Sequence, residues 1–286
     1  MIDLINYNWM PTVADHIIDH SADFYRSAGV SRLHNVDSID PSTVKENDII
    51  FVKTDEIYNG VFQKNVLPNI KNKFTLISGI SSYTVGRNGD QSYLDILNNT
   101  NLKYWFCTNP PPVYSDKIIP IPIGFEEKER DGGNQGVLKS QQLSKSKWED
   151  KLDMFYLPFH TASTNPERQR FIDHLKSLDF VYVEENKLPF ENYLSQVNKF
   201  RYTICLEGAG YDTHRNYEAL LVHSIPVITP NMVRLFKYYS LPHFIISDWF
   251  ATYKPQLDSE NISWDDNFFN VDFHKKRILE YANRIM

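Results

Sequence analysis

Residues 207–228 gather side chains that could hold a phosphate-bearing ligand. The stretch reads EGAGYDTHRNYEALLVHSIPVI, with two glycines, a His-Arg pair and a glutamate about one helical turn further on. An arginine can hold phosphate oxygens with two hydrogen bonds at once. The carboxylate of Glu218 can accept from both hydroxyls of a ribose, and the glycines permit close backbone approach and positive φ. The stretch therefore predicts a site for an anionic, nucleotide-linked ligand.

The elements that must position these side chains are a strand, a loop, a helix and a second strand. The apolar run 202–206 predicts a buried strand. A helix is expected over 214–222, with Asp212 or Thr213 as its N-cap. The N–H groups at the start of a helix are unpaired and carry partial positive charge, which favours phosphate. The run 224–228 predicts the next strand.

A second cationic position is expected in residues 153–175. The run 154–159 predicts a strand, and 160–164 forms a polar loop before a helix. Ligands of open α/β sheets bind at the carboxyl ends of the strands, which is where this loop and the first turn of its helix lie. Arg168, in that first turn, is favoured over Arg170 as a phosphate ligand.

The C-terminal half resembles the donor-binding signature of exostosin-like glycosyltransferases. In that signature a strand ending in Cys-x-x-Gly leads to Asp-Thr-His-Arg-x-x-Glu-Ala-Leu and then to x-Ile-Pro-Val. The matching positions are Cys205, Gly208, Asp212, Thr213, His214, Arg215, Glu218, Ala219, Leu220, Ile225, Pro226 and Val227. More loosely, residues 103–109 and 118–125 are similar to the Trp-Phe-x-x-Asn and Pro-Ile-Gly-Phe elements of the family's acceptor domain.

Two positions depart from the family pattern. Relatives usually carry glycine where this chain has His223, so this histidine is expected to adopt left-handed backbone at the end of its helix. Glu207 stands where many relatives have a basic or neutral residue, and its charge could repel a diphosphate.

The fold class predicted from the alternation of strands and helices is α/β, with a parallel sheet covered on both faces. Strands are predicted at 48–53, 74–78, 102–107 and 118–123, and an amphipathic helix at 57–66. The resemblance implies two Rossmann-like domains that face each other across a cleft, an arrangement called GT-B.

The length of 286 residues suits two domains. We expect an N-terminal acceptor-binding domain over 1–130 and a nucleotide-sugar-binding domain over 152–270. The polar, glycine-containing segment between them predicts a linker at 131–151. Residues 271–286 carry one apolar helical stripe, and the resemblance implies that this helix packs back on the N-terminal domain.

The resemblance implies an inverting transferase that works without a bound metal or other cofactor. Arg168, His214 and Arg215 would stabilise the leaving diphosphate, as cationic groups do. The full predicted donor-binding set is Thr161, Arg168, Gly208, Gly210, Tyr211, Asp212, His214, Arg215 and Glu218. The sequence also lacks Asp-x-Asp and His/Cys clusters with zinc spacing, so no metal site is predicted.

Direct displacement needs a base that takes the proton of the acceptor hydroxyl. Asp55, which follows the predicted strand 48–53, is the first choice, and Glu56 and Asp90 are contenders. The alternative is that Asp55 simply caps a helix that starts near Glu56. Four aromatic residues could stack on sugar rings: Tyr58, Tyr83, Tyr211 and Trp249.

Composition excludes several classes of partner. The net charge is -6 and no basic stripe is present, which argues against a nucleic-acid binder. No apolar run approaches the roughly 18 residues of a membrane span, and the N-terminus does not resemble a signal peptide. A soluble, cytoplasmic protein or a form trimmed of its anchor is expected. Cys107 and Cys205 lie in apolar runs, which favours buried free thiols.

The predicted reaction moves a sugar from a UDP-sugar to a glycan hydroxyl and forms a β-linkage. Relatives use UDP-xylose, UDP-glucuronate and UDP-galactose; xylose is placed first, although no residue decides it. The alternatives are a fucosyl-type transferase that uses GDP-fucose, a nucleotide-sugar epimerase, and a non-catalytic glycan-binding module. The oligomeric state is left open.

Overall fold

A computed structural model describes residues 3–19, 33–34, 40–81, 83–86, 89, 91–160, 167–246, 250 and 262–283. The chain divides into two compact units. Residues 7–123 and 271–286 form one, here called the 7–123 unit. Residues 1–6 and 124–270 form the other, here called the 124–270 unit. The boundary falls after Ile123 rather than at the predicted residue 130.

The secondary-structure elements of the described residues alternate along the chain. The strands are β1 His16–Ile18, β2 Leu33–His34, β3 Asp48–Lys53, β4 Phe74–Gly79, β5 Leu102–Cys107, β6 Ile118–Pro120, β7 Leu152–Leu157, β8 Val181–Val183, β9 Phe200–Ile204, β10 Ile225–Ile228 and β11 Phe244–Ile245. The α-helices are α1 Thr54–Tyr58, α2 Tyr93–Asn98, α3 Gln135–Leu143, α4 Glu167–Leu175, α5 Phe190–Val197, α6 His214–Leu221, α7 Val233–Tyr238 and α8 Val271–Ala282.

Shorter helical segments connect these elements. A π-helical segment spans Phe62–Val66. The 3-10 segments are Met10–Val13, Pro41–Thr43, Leu67–Asn69, Asp131–Gly133, Trp148–Asp150, Pro230–Met232 and Asp266–Phe269.

The 7–123 unit is built on a six-stranded sheet in the order β2-β1-β3-β4-β5-β6. All of its neighbouring strands pair in parallel. Strands β3 to β5 are nearly continuous runs of buried residues, as expected for a parallel sheet covered on both faces. The predicted strands 48–53, 74–78 and 102–107 are confirmed, whereas the strand predicted at 118–123 ends at Pro120.

The helix predicted at 57–66 is wrong. Helix α1 begins earlier, at Thr54, and ends at Tyr58. Gly60 has a φ of +72°, which takes the backbone out of helical conformation before the π-helical segment begins at Phe62.

Helix α8 packs on the same sheet. The ring of Tyr281 meets Tyr104 edge-on at 4.9 Å and Phe106 at 5.6 Å between centroids. The Nζ of Lys103 donates to the carbonyl of Ala282 at 2.7 Å and so satisfies the last turn of the helix. Residues 271–286 therefore belong to the 7–123 unit.

The 124–270 unit is built on a five-stranded parallel sheet in the order β11-β10-β9-β7-β8. With the first sheet, it confirms the predicted α/β class. Its core packs the apolar faces of the strands against the flanking helices, with Phe155, Leu157, Ile204 and Val227 among the buried residues. Strands β7 and β9 are neighbours, so the loops that follow them emerge side by side.

The segment 131–151, which the sequence predicts to be a linker, is partly helical. It contains α3, whose N-cap Asn134 accepts hydrogen bonds from the backbone N–H groups of Gly136 and Val137 at 3.0 and 3.2 Å. Leu138 is fully buried. The sequence predicts a linker here because most residues of this short helix are polar. No helix within the described ranges is both long and apolar enough to cross a membrane.

Candidate anion-binding site

The stretch singled out in the sequence folds as predicted, as strand β9, a loop, helix α6 and strand β10. One of the two predicted N-caps of α6, Thr213, is confirmed. Thr213 occupies the N-cap position with extended backbone, but its side chain makes no capping bond. Asp212 accepts instead from the Asn216 amide at 2.9 Å and from the Tyr217 hydroxyl. Asp212 is buried, so its carboxylate holds the loop against the first turn of α6.

The other end of α6 carries the predicted left-handed histidine. His223 has a φ of +56°, and the N–H groups of His223 and Ser224 bond to carbonyls of the last helical turn. Its ring stacks on Trp264 with centroids 4.2 Å apart. Lys145 Nζ lies 2.9 Å from its Nε2 and Asp266 Oδ1 lies 3.4 Å from it. These contacts offset the backbone strain that a glycine would avoid.

The glycines of the loop act through close approach. Neither Gly208 nor Gly210 has a positive φ. The N–H of Gly208 donates to the carbonyl of Gly210 at 3.0 Å. A Cβ on Gly208 would lie 3.4 Å from Nη2 of Arg168, in ordinary van der Waals contact, so the loop backbone runs directly against the guanidinium.

Arg168 reaches from α4 to the loop after β9. Its Nε donates to the carbonyl of Glu207 at 2.9 Å, and its Nη2 donates to the carbonyl of Leu206 at 3.3 Å. Burial lowers the pKa of Arg168, and the charge of Arg215 lowers it further. The two guanidinium groups therefore lie close enough to repel each other.

Arg215 reaches from α6 to the loop after β7. Its Nη2 donates to the carbonyl of Phe159 at 2.8 Å, and its guanidinium lies over the Tyr193 ring, 5.4 Å from the centroid. Burial opposes the charge on Arg215, but interactions with Tyr193 and Glu218 outweigh it and raise the pKa of Arg215. Arg215 consequently stays charged.

His160 lies beside both arginines. Burial and then the charges of Arg215 and Arg168 lower the pKa of His160 well below its ordinary value. Its Nε2 is buried and has no hydrogen-bond partner among the residues that the structure describes. A neutral imidazole with an unsatisfied nitrogen thus stands next to two positive charges.

Glu218 is buried about one turn along α6 from Arg215. Its Oε2 accepts from the hydroxyl of Tyr193 at 2.8 Å. Burial raises the pKa of Glu218, while Arg215 and Tyr193 act in the opposite direction. Burial, followed by the charge of Glu218, also raises the pKa of Tyr193, so this tyrosine remains a hydrogen-bond donor.

His214 is anchored through one ring nitrogen. Its Nδ1 lies 2.8 Å from the carbonyl of Gly124, and because a carbonyl only accepts, Nδ1 carries the hydrogen. Gly124 has a φ of +76°, and a Cβ there would lie 3.0 Å from the Ile5 carbonyl. Glycine at this position therefore lets the backbone approach Ile5, and its carbonyl fixes the tautomer of His214.

Two further residues of the loop have defined places. Tyr211 is half-buried. Glu207, whose charge was expected to oppose a diphosphate, accepts through Oε1 from the Thr229 hydroxyl and from the Asn231 amide at 3.1 Å. Its carboxylate is thus engaged by the segment that follows β10.

The predicted base lies in the 7–123 unit. Asp55 occupies the first turn of α1, but the N-cap is Lys53, so Asp55 does not cap the helix. Its Oδ2 is buried and has no hydrogen-bond partner within the described ranges. The contender Glu56 is buried. Asp90, like the predicted donor ligand Thr161, lies outside the described residues.

Sequence reasoning missed two residues of the site. His160 stands at the start of the polar loop after β7, and that position was the only signal that could have found it. Tyr193 lies on α5, and no motif in the sequence links it to the helix that carries Arg215. The pairing of β7 with β9 brings His160 to the site, and the packing of α5 against α6 brings Tyr193.

A comparison with protein-family models finds no match to this chain, and a comparison with curated proteins finds none either. Within the described ranges, no group of three or more His, Cys, Asp or Glu side chains could hold a metal ion. The metal-independent reaction expected from the sequence stays a prediction.

Proposed function

We propose that this protein is an inverting glycosyltransferase that moves a sugar from a UDP-sugar to a hydroxyl of a glycan and forms a β-linkage. The observation that carries the proposal is that Arg168 binds the loop after β9 and Arg215 binds the loop after β7, next to neutral His160. The resemblance of residues 205–227 to the exostosin-like donor signature supports it.

A diphosphate suits the charge of this site. Two guanidinium groups that repel each other gain from an anion placed against both. The N-terminus of α6 adds the partial positive charge of its unpaired N–H groups. Such groups stabilise the charge that builds on the leaving diphosphate as the bond to the sugar breaks.

Glu218 supports recognition of the nucleoside. Its buried carboxylate is already oriented by Tyr193. The carboxylate can therefore accept further hydrogen bonds without losing side-chain entropy on binding. In the proposal it accepts from the ribose hydroxyls. Uracil and xylose are kept as the first choices of base and sugar, and neither rests on a particular contact.

The proposed chemistry is a single displacement. The acceptor oxygen attacks the anomeric carbon, the bond to the diphosphate breaks, and its electron pair leaves with UDP. The proton of the acceptor hydroxyl goes to Asp55, whose Oδ2 has no partner among the described residues. The step requires the cleft between two Rossmann-like domains that the sequence predicts, and that arrangement is part of the proposal.

The test is calorimetric binding of UDP, GDP and CMP in the presence of a chelator. We expect UDP to bind and Arg215→Ala to weaken it by about 100-fold, since charge-assisted bonds contribute roughly 1.5–3 kcal/mol. Arg201→Ala is the matched control, because Arg201 also lies over an aromatic ring, that of Trp148, and donates to a carbonyl of the same unit.

Each other outcome of the titrations has a defined meaning. GDP binding alone would replace the UDP-sugar by GDP-fucose. UDP that turns over without an acceptor present would favour the epimerase. No binding of any nucleotide would overturn the transferase and leave the glycan-binding module.

A further inference from the structure

The carboxyl edge of β3, β4 and β5 collects polar atoms that lack partners. The Oδ2 of Asp55 and the hydroxyls of Thr84 and Thr108 are buried and have no hydrogen-bond partner in the described part of the chain. They follow three neighbouring strands of the 7–123 sheet. Native proteins satisfy most buried polar groups, so three orphans at one edge indicate a ligand that supplies the missing bonds.

Backbone strain marks the same edge. Ile80 directly follows β4 with a φ of +54°, and Asn109 comes two residues after β5 with a φ of +46°. A β-branched residue in the left-handed region is a clear outlier. Such conformations persist where the surrounding structure requires them, and they cluster at binding and catalytic sites.

An exposed aromatic pair comes from the segments that follow β3 and β4. Tyr58 and Tyr83 stack with centroids 4.4 Å apart and planes 9° from parallel. They are 41% and 46% exposed, although a large aromatic ring is usually better buried. Tyr58 lies three residues after Asp55 on the outward face of α1, while Ile57 is buried.

The two tyrosines are held in place from the strand ends. The hydroxyl of Thr54 lies 3.4 Å from the carbonyl of Gly79 and ties the start of α1 to the end of β4. The N–H of Tyr83 donates to the hydroxyl of Ser81 at 3.1 Å. The backbone that carries the stacked rings is thus tied to the strand ends before any ligand arrives.

We propose that this edge of the 7–123 unit binds a pyranose ring of a saccharide, with an outer ring face of the Tyr58–Tyr83 stack against its apolar face. A pyranose presents hydroxyl donors and acceptors around its rim and C–H groups on its face, which matches Asp55, Thr84 and Thr108 beside an aromatic pair. That this saccharide is the acceptor rests on the proposed function, whereas its binding does not.

The test is saturation-transfer NMR on the full chain with xylotetraose, cellotetraose and β-1,4-galactotetraose as probes. We expect saturation of the ring protons of at least one probe. Tyr58→Ala and Tyr83→Ala should each weaken that binding by about tenfold, because one substitution removes the ring that contacts the sugar and the other removes the ring stacked behind it. Tyr114→Ala is the matched control, because Tyr114 is 86% exposed in the same unit.

Thr108→Val separates binding from folding. The change keeps the side chain's shape and removes a hydroxyl that has no described partner, so the unfolding temperature should not fall while saccharide binding weakens. The inference is overturned if no probe is saturated, or if Tyr114→Ala weakens binding as much as Tyr83→Ala.

The nucleotide titration distinguishes this inference from the proposed function. UDP binding without saccharide binding would overturn the inference and leave the donor site. Saccharide binding without nucleotide binding would support the inference and overturn the transferase.

Discussion

Arg168 and Arg215 each bind the loop that leads to the other's helix. The two helices follow the neighbouring strands β7 and β9. Arg168, on the helix after β7, reaches the carbonyl of Glu207 after β9 at 2.9 Å. Arg215, on the helix after β9, reaches the carbonyl of Phe159 after β7 at 2.8 Å. The exchange holds both cations in place without a ligand, which is the condition for electrostatic preorganisation.

The first prediction concerns Arg168→Gln. The substitution removes a charge that Arg215 repels, so the unfolding temperature without ligand should change little. Stabilisation by UDP should nearly vanish, whereas the original protein should gain about 2.7 kcal/mol at a UDP concentration of 100 times Kd. Thermal unfolding with and without UDP measures both effects.

The control for this prediction is Arg170→Gln. Arg170 lies on the same helix with its guanidinium 5.8 Å from the centroid of the Phe250 ring. It should keep the full UDP shift. A normal UDP shift in Arg168→Gln, or its loss in Arg170→Gln, would show that the wrong arginine has been assigned.

The second prediction concerns pH and His160. The pKa of His160 in the folded protein is well below the ordinary 6.5, because of burial and the charges of Arg215 and Arg168. Below pH 6.5 the unfolded chain therefore binds a proton that the folded chain does not. Stability is fully present above pH 6.5 and falls as pH drops below it, by up to about 1.4 kcal/mol per pH unit.

His160→Asn should remove this contribution. Urea titrations give the free energy of unfolding at each pH. As the pH falls below 6.5, we expect this free energy to fall more steeply for the original protein than for the variant. Saturating UDP should reduce the difference, because an added anion offsets the two positive charges. Identical slopes for the two proteins would contradict a neutral His160.

Strands β3, β5 and β9, together with α6, could be predicted because their apolar runs and caps are local signals. The short strands β1 and β2 could not, since two or three residues give no periodicity. The helix α3 was hidden for a related reason: only a few of its residues, Leu138 among them, face the core.

The candidate site was predictable only where its residues fall in one segment. Arg215 and Glu218 share a helix, and their spacing reveals a common side of it. His160 reaches the site because β7 pairs with β9, and Tyr193 because α5 packs on α6. Contacts between distant elements leave no mark on local sequence. The orphan hydroxyls of Thr84 and Thr108 are likewise a property of packing.

The third prediction concerns Lys151, which is buried and joins the ends of two helices. Its Nζ donates to the Val222 carbonyl at 2.9 Å, to the Asn198 side-chain oxygen at 2.9 Å and to the Asn198 carbonyl. Val222 and Asn198 are the C-caps of α6 and α5. Lys151→Met would leave these oxygens unsatisfied and should lower the free energy of unfolding by about 3 kcal/mol.

Alkaline pH should enlarge that difference. Burial lowers the pKa of Lys151 from 10.5 to about 8. Between these values the unfolded chain binds more protons than the folded one, so this group makes stability rise with pH. Urea unfolding at pH 7 and pH 10 checks the change, with exposed Lys147→Met as the control. A constant difference would contradict the buried, perturbed amine.

The fourth prediction concerns His223, which combines left-handed backbone with contacts to Trp264, Lys145 and Asp266. His223→Ala removes the contacts and keeps the strained backbone, while His223→Gly removes both. The glycine variant should therefore be more stable than the alanine variant by about 1 kcal/mol, the cost of left-handed backbone for a residue with a Cβ. Because the contacts of His223 offset its strain, the glycine variant should be about as stable as the original protein and the alanine variant less stable. Urea unfolding of the three proteins measures these differences in stability. An alanine variant as stable as the glycine variant would show that the backbone at residue 223 is not strained.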